Sequence, residues 1–448
     1  MMIRKEKLIE KIKRRKARIA VIGLGHVGLP TAAIFADAGF NVIGVDVKKE
    51  IVESVSSERS PVREPRLDEL VKKAVRNGKL RATNDMQSAV RKADVVLICV
   101  MTPLTEDKKP NQSYLKKACE DMAKELSGRK LVVIQSTVSP GAIKNLVVRT
   151  LEERSGLKCG QDFWLAYCPE RIAPGKAVRE FAENARIVGG YDSDSADVAT
   201  QLFKTVTKGE ILKTNCVSAE VAKVAENTFR FVNIAFANEL ALICEQVGGD
   251  VTEVARLANT HPRVNIHRAG FGVGGPCVPK DPYLLLHSVV GADFRSRVIE
   301  PSGELNEFMP RHAVELIVRG LKRVGKDVKG SKVAVLGVAY KAEVDDVRNS
   351  PAEGIVRELM SLGAKVVVHD HYCKESFGAD KARDLMTAIK GTDCLVIVTD
   401  HKMFEDLDLR KTKSLMNEKP IIVDGKRIVR PVKAKEQGFA YYGIGYNI

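Results

Sequence analysis

Arg18-Ile19-Ala20-Val21-Ile22-Gly23-Leu24-Gly25-His26-Val27-Gly28 is the stretch from which the fold follows. Residues 18–22 are rich in β-branched and apolar side chains without polar alternation, the pattern of a parallel strand buried on both faces. Three glycines spaced i, i+2, i+5 then open an apolar run, Leu29 to Ala38, that reads as a helix stopped by Gly39. A second apolar run, Phe40 to Asp46, completes a strand–helix–strand unit. The spacing has a mechanical reading. Gly23 permits the tight turn, Gly25 lets backbone amides reach a pyrophosphate at the helix N-terminus, and Gly28 allows close helix packing. His26 and Val27 lie in the same turn and join the candidate cofactor contacts. Asp46, at the end of the second strand, suits the adenosine ribose hydroxyls, which favours NAD over NADP. By itself the glycine pattern also admits a flavin site or a relic of the fold.

Outward from this unit, Ala93 to Val100 reads as a strand ending at Met101-Thr102-Pro103, and Lys130 to Gln135 as another ending at Ser136-Thr137. Open α/β sheets bind ligands at such strand ends, so Thr102 and Thr137 are further candidate cofactor contacts. The alternation predicts a doubly wound α/β domain over residues 1–205. The pattern changes over 206–310. Residues 218–247 hold a helical period without glycine or proline, a helix of roughly 30 residues against a usual range of about 8–20. Such a helix bridges domains or joins two subunits. From 311 to 448 the first domain is echoed. Lys332 to Gly337 resembles the first strand, Gly363 to Asp370 resembles Gly39 to Asp46, and Thr392 to Asp400 resembles the 93–100 strand. Val338-Ala339-Tyr340-Lys341-Ala342-Glu343 follows Gly337 in place of two further spaced glycines, so this copy keeps the fold and binds another ligand. The expected architecture is therefore α/β, with two Rossmann-like doubly wound domains joined by an all-helical central domain that contains a long helix.

Composition narrows the class. The 448 residues are 44% hydrophobic and 29% charged, ordinary for a globular protein. No apolar run reaches membrane-spanning length, and the N-terminus lacks a secretory apolar segment. Nine cysteines without CxxC spacing argue against a disulfide framework and a zinc site, so no metal and a cytoplasmic location are expected. Nine Lys/Arg and two Glu fall within residues 1–18, nearly half of the +15 excess. A solvated helical extension is the reading preferred over nucleic-acid contact for this run.

The candidate chemistry lies in Gly270-Phe271-Gly272-Val273-Gly274-Gly275-Pro276-Cys277-Val278-Pro279-Lys280-Asp281. Glycines let backbone approach a ligand, and nearby positive charge favours the reactive thiolate. The other cysteines read as core residues. Lys223 and Asn227 lie four apart, on one helix face. Asp281 precedes Pro282, the pattern of a helix N-cap.

Together these motifs resemble the UDP-sugar 6-dehydrogenases, along nearly the whole chain. The resemblance rests on the glycine fingerprint, Ser136-Thr137-Val138, Tyr167-Cys168-Pro169-Glu170-Arg171, Lys223 with Asn227, the cysteine loop, and Lys341 with Arg348. Within the family, residues 227–240 and Leu257-Ala258-Asn259 with 261–266 look most like the UDP-N-acetylmannosamine branch. The resemblance implies oxidation of a nucleotide sugar to a uronic acid with two NAD per turnover, with UDP-glucose and UDP-N-acetylglucosamine as alternative substrates. Cys277 would be the nucleophile, Lys223 and Asn227 would stabilise oxyanions, Asp281 would orient a water or Lys223, and Glu170 would be the base for hydrolysis. Arg171, Arg263, Arg268, Phe271, Gly272, Gly274, Lys341 and Arg348 are the implied substrate contacts. Lys426 stands where the family usually has arginine, with Arg427 as its candidate replacement. The partners implied are a UDP-sugar and a second copy of the chain, as a homodimer or a higher homo-oligomer, with neither nucleic acid nor membrane. A non-catalytic binding module and a 3-hydroxyacid dehydrogenase are the competing classes; the latter needs a single hydride transfer and no cysteine.

Overall fold

Strand β1 (Arg18–Ile22) shows why its sequence carries no polar alternation. Ile19 and Val21 enter one buried apolar cluster, and Ala20 and Ile22 enter another on the opposite face of the sheet. Helices cover both faces, so successive side chains are all buried. The computed structural model describes residues 2–446. Met1, Asn447 and Ile448, the outermost residues of the first and last expected domains, lie outside the described residues. So do the side chains of residues 2–4.

The chain forms two compact units, Met1–Glu226 with Tyr283–Ala292, and Asn227–Pro282 with Asp293–Ile448. In the first, β1 is joined by β2 (Asn41–Val45), β3 (Leu80–Thr83), β4 (Val95–Ile98), β5 (Leu131–Ile134), β6 (Trp164–Tyr167), β7 (Arg186–Gly190) and β8 (Ile211–Asn215). Their order is β3-β2-β1-β4-β5-β6-β7-β8. All neighbours are parallel except β6 and β7. The crossover between β1 and β4 is the switch point at which doubly wound sheets bind nucleotides.

The N-terminal helix, Met2–Lys13, corrects the expectation of a solvated extension. Leu8 and Ile12 are buried in the cluster that holds Ile19 and Val21. Lys5 Nζ reaches Asp194 at 2.6 Å and Asp197 at 2.9 Å. The sequence pattern hides this because two buried apolar positions sit among many lysines and arginines. The long helix spans Cys216–Val247, 32 residues, and contributes to both units.

In the second unit a sheet of β9 (Lys332–Leu336), β10 (Lys365–His369), β11 (Asp380–Lys381), β12 (Cys394–Ile397), β13 (Ile421–Asp424) and β14 (Ala440–Gly443) has the order β11-β10-β9-β12-β13-β14. This repeats the β3-β2-β1-β4-β5-β6 order of the first sheet, parallel throughout. Val333 and Val335 again enter one cluster, Ala334 and Leu336 the other. The missing glycines have a counterpart in hydrogen bonding. Asp370 Oδ2 accepts from the N–H groups of Val338 (2.7 Å) and Ala339 (3.0 Å), the amides that a phosphate would need. Among the described residues no helix is long and apolar enough to cross a membrane, and no cluster of metal-ligating side chains occurs.

Candidate active site

The cofactor end of the first unit is built by the glycine turn. Gly23 has φ +90°, and a Cβ there would lie 2.8 Å from the Cys99 carbonyl oxygen; a Cβ on Gly28 would lie 1.7 Å from that of Gly23. These two glycines serve packing. Gly25 differs: a Cβ there would meet nothing within 4 Å, which leaves an open cradle over the turn. That geometry fits a dinucleotide pyrophosphate. His26 is exposed beside it, and Val27 precedes the helix Gly28–Asp37. Asp46 reaches back to the turn, Oδ2 accepting from Leu24 N–H at 2.8 Å and Oδ1 from Lys48 N–H at 3.0 Å. Thr102 and Thr137 meet directly, the Thr102 hydroxyl donating to the Thr137 carbonyl at 2.6 Å.

Glu170 is buried beside β6 and anchored on both oxygens. Oε1 accepts from Arg171 N–H at 2.8 Å; Oε2 meets Arg186 at 3.1 Å and Gln135 Nε2 at 3.5 Å. Arg186 is itself buried, between the rings of Phe181 and Phe203. Arg171 Nε pairs with Glu226 at 2.8 Å and its Nη1 donates to the Ala185 carbonyl. Lys223 is 8% exposed.

In the second unit, Cys277 is the exposed member of nine cysteines, none of them in a disulfide. Burial pushes the Cys119, Cys168, Cys216 and Cys373 thiols up to about 12, as core residues require. The Cys277 carbonyl accepts from Lys280 N–H (3.0 Å) and Asp281 N–H (2.9 Å), so the thiol opens the turn into the helix Asp281–His287. Asp281 is fully buried. Its Oδ2 accepts from Asn227 Nδ2 at 2.6 Å and its Oδ1 lies 3.2 Å from Lys280 Nζ. It stands inside the helix as its first residue, not before it, and its carboxylate joins Asn227, another candidate group, to Lys280.

The glycines around Cys277 do different work from that expected. Gly275 N–H donates to the Arg348 carbonyl at 2.8 Å, and the Gly275 carbonyl accepts from Asn349 Nδ2 at 3.0 Å. Gly270 N–H donates to Asn238 Oδ1. A Cβ on Gly274 would lie 2.7 Å from Tyr340 Cβ, and one on Gly275 2.8 Å from the Tyr340 ring. The glycines therefore let the loop pack on residues 340–349, and the Gly270 and Gly275 amides are already bonded within the protein. Gly272 packs in the same way against Asn306, Pro310 and Pro351. The Phe271 ring is buried in the core and packs on Gly425, so its main chain is the part open to a ligand.

The expected cations divide into paired and unpaired. Arg348 is matched by Asp346 at 2.5 Å. Arg427 pairs with Asp250 at 2.7 Å and lies over the Tyr446 ring, so it belongs to the scaffold and does not replace the missing arginine. Arg263, Arg268 and Lys341 are exposed, and no carboxylate pairs with them among the described residues. Arg230 joins that group although nothing in the sequence reading selected it. It sits one turn beyond Asn227, with Nη1 3.5 Å from Asn227 Oδ1. Tyr340 was missed as well: it packs against Gly274 and Gly275 of the cysteine loop, and burial pushes its hydroxyl above the usual range. A helix residue three positions from Asn227 was a readable signal for Arg230; Tyr340 had none.

Models of the UDP-glucose/GDP-mannose dehydrogenase family match this chain in three parts. They are its NAD binding domain over residues 17–207, its central domain over 217–308 and its UDP binding domain over 334–431. The chain belongs to this family. It is an NAD-dependent nucleotide-sugar dehydrogenase, an oxidoreductase. Among similar proteins is the UDP-N-acetyl-D-mannosamine dehydrogenase of Pyrococcus horikoshii, 40% identical over 96% of this chain and 99% of that one. The solved structure from the same organism superimposes with a TM-score of 0.89. The UDP-N-acetyl-D-mannosamine dehydrogenase of Methanocaldococcus jannaschii is 38% identical over 96% of each chain. A structure of NDP-N-acetyl-D-galactosaminuronic acid dehydrogenase from Methanosarcina mazei is 34% identical, covers 99% of this chain and 98% of that one, and has a TM-score of 0.87.

Proposed function

We propose that the protein oxidises UDP-N-acetyl-D-mannosamine to UDP-N-acetyl-D-mannosaminuronate, using two NAD per turnover and a covalent intermediate on Cys277. The observation that carries the mechanism is the exposed thiol of Cys277 in a loop braced by Tyr340, Arg348 and Asn349, within a family whose members bind NAD and a nucleotide sugar. The choice of sugar rests on the likeness to the Pyrococcus and Methanocaldococcus enzymes.

The balanced reaction takes one primary alcohol, two NAD and one water to a carboxylate, two NADH and three protons. NAD supplies the hydride acceptor, and Gly23, Gly25, His26, Val27, Gly28, Asp46, Thr102 and Thr137 would hold it. The first oxidation gives an aldehyde. Its carbon cannot release a second hydride until a nucleophile makes it tetrahedral, and Cys277 fills that role as a thiohemiacetal. Loss of the second hydride leaves a thioester, which water cleaves. Lys223 and the remaining amide N–H of Asn227 would stabilise the oxyanions. Asp281 orients Asn227 and Lys280, and Glu170, held by Arg186, would orient the hydrolytic water. Arg230, Arg263, Arg268 and Lys341 are the cations left for the diphosphate and sugar, and Gly272, Gly274 and the Phe271 main chain border the same loop. We further propose a cytoplasmic homodimer.

A panel of UDP-N-acetylmannosamine, UDP-N-acetylglucosamine and UDP-glucose, followed by NADH formation, tests the substrate. The mannosamine sugar should give the highest kcat/KM, with two NADH per sugar; a higher value for UDP-glucose would overturn the choice. Cys277→Ala should abolish uronate formation, and normal uronate output from that variant would rule out the covalent route.

A further inference from the structure

The loop after β5 is tied down at both ends by side chains from other elements. At its start the Ser136 hydroxyl donates to the Val100 carbonyl and Thr102 to the Thr137 carbonyl, each at 2.6 Å. At its end the chain turns at Gly141 (φ +87°) into a π-helical turn, Ile143–Val148, that continues as the α-helix Arg149–Ser155. The first N–H groups of a helix have no carbonyl partners within it. Glu220 supplies them from the long helix: Oε2 accepts from Gly141 N–H at 2.9 Å and Oε1 from Ile143 N–H at 2.7 Å. The residue is fully buried. Burial raises its carboxyl above the usual range, and the Ile143 and Gly141 bonds oppose that shift.

Glu220 also stands three residues before Lys223, which puts the two on neighbouring positions of one helix face. One carboxylate thus fastens the loop that carries Thr137 to the turn of helix that carries Lys223. All of these residues belong to the first unit. A buried glutamate is a costly way to cap a helix, since the charge must be desolvated, and short π-turns recur at functional sites.

We propose that Glu220 is a positioning residue for the cofactor, holding the Ser136–Gly141 loop in the place where Thr137 meets NAD. This rests on the dehydrogenase reading, in which Thr137 is a cofactor contact. Glu220→Gln keeps the side-chain volume and one acceptor but turns an NH₂ toward the other N–H, so one of the two bonds is lost. The KM for NAD should rise about tenfold, equivalent to roughly 1.4 kcal/mol. The KM for the UDP-sugar should stay within about twofold, because the loop is not expected to touch the sugar nucleotide, and Tm should fall only a few degrees, about as expected for one lost bond. Glu220→Ala removes both bonds and should raise the NAD KM further; where it fails to fold, the Gln variant decides alone. An unchanged NAD KM in the Gln variant, or equal rises for NAD and UDP-sugar, would overturn the proposal, because a purely structural cap predicts one or the other. NADH binding, titrated by its fluorescence on wild type and Glu220→Gln, keeps the two readings apart. A wild type that binds NADH but turns over no UDP-sugar sinks the assigned reaction while the titration still tests Glu220.

Discussion

Asp46 and Asp370 occupy matching positions, each one residue past the second strand of its sheet, and their fates differ. Asp46 bonds one turn amide, Leu24, and faces the open cradle at Gly25. Asp370 takes both turn amides of its own sheet, accepts from Tyr372 and Cys373, and lies 3.1 Å from His401 Nε2. His401 Nδ1 accepts from Glu343 N–H, so the proton of a neutral ring sits on Nε2 and points at Asp370. Burial alone would raise the Asp370 carboxyl, but His401 and the Val338, Cys373 and Ala339 amides outweigh it and hold it well below its usual range. A carboxyl depressed in the folded state adds stability above the unfolded value of about 3.9, and that stability is lost as pH falls through the folded value. Asp370→Asn should therefore lower unfolding free energy by about 3 kcal/mol at neutral pH. The gap from wild type should narrow below about pH 4. Urea unfolding of both proteins across pH 3–7 would check this, and a gap that widens on acidification would refute it.

At the scale of elements, the N-terminal helix shows what periodicity cannot weigh. Its two buried positions, Leu8 and Ile12, are real core residues within a run whose charge dominates the reading. Ile12→Ala should cost about 2–4 kcal/mol in urea unfolding while leaving turnover at 25 °C intact, since the helix lies outside the proposed site. The long helix makes a second point. Asparagines within residues 227–266, the stretch that resembles one branch of the family, bond to the protein's own main chain and side chains. Asn233 bonds Asn265 and His267, Asn238 bonds Gly270 and Asn306, and Asn259 bonds Ile266 at both its oxygen and its nitrogen. They clamp the arm that leads into the cysteine loop. Strands, the glycine turn and the long helix were legible because local chemistry dictates them. The pairing of Arg171 with Glu226 and the bracing of Gly275 by Tyr340 were not, because partners far apart in sequence leave no local pattern. Glu220 went unnoticed for the same reason: a charged residue on a helix reads as solvated until its partners at Gly141 and Ile143 are known.

For the whole molecule, Phe229, Phe236 and Ile243 stand exposed seven residues apart along the long helix, a stripe of the kind that a second copy covers. Under the proposed homodimer, Phe236→Asp with Ile243→Asp should shift the mass measured by light scattering from dimer to monomer; an unchanged dimer would locate the interface elsewhere. The second unit also closes on itself late. Gly445 N–H bonds Glu245 across 200 residues, and Arg427 bonds Asp250 across 177. During synthesis residue 445 must therefore leave the ribosome before the C-terminal half of the long helix gains its last anchors. A nascent chain stalled before Arg427 emerges would carry a complete first sheet and an unfinished second unit, open to proteases and to chaperones.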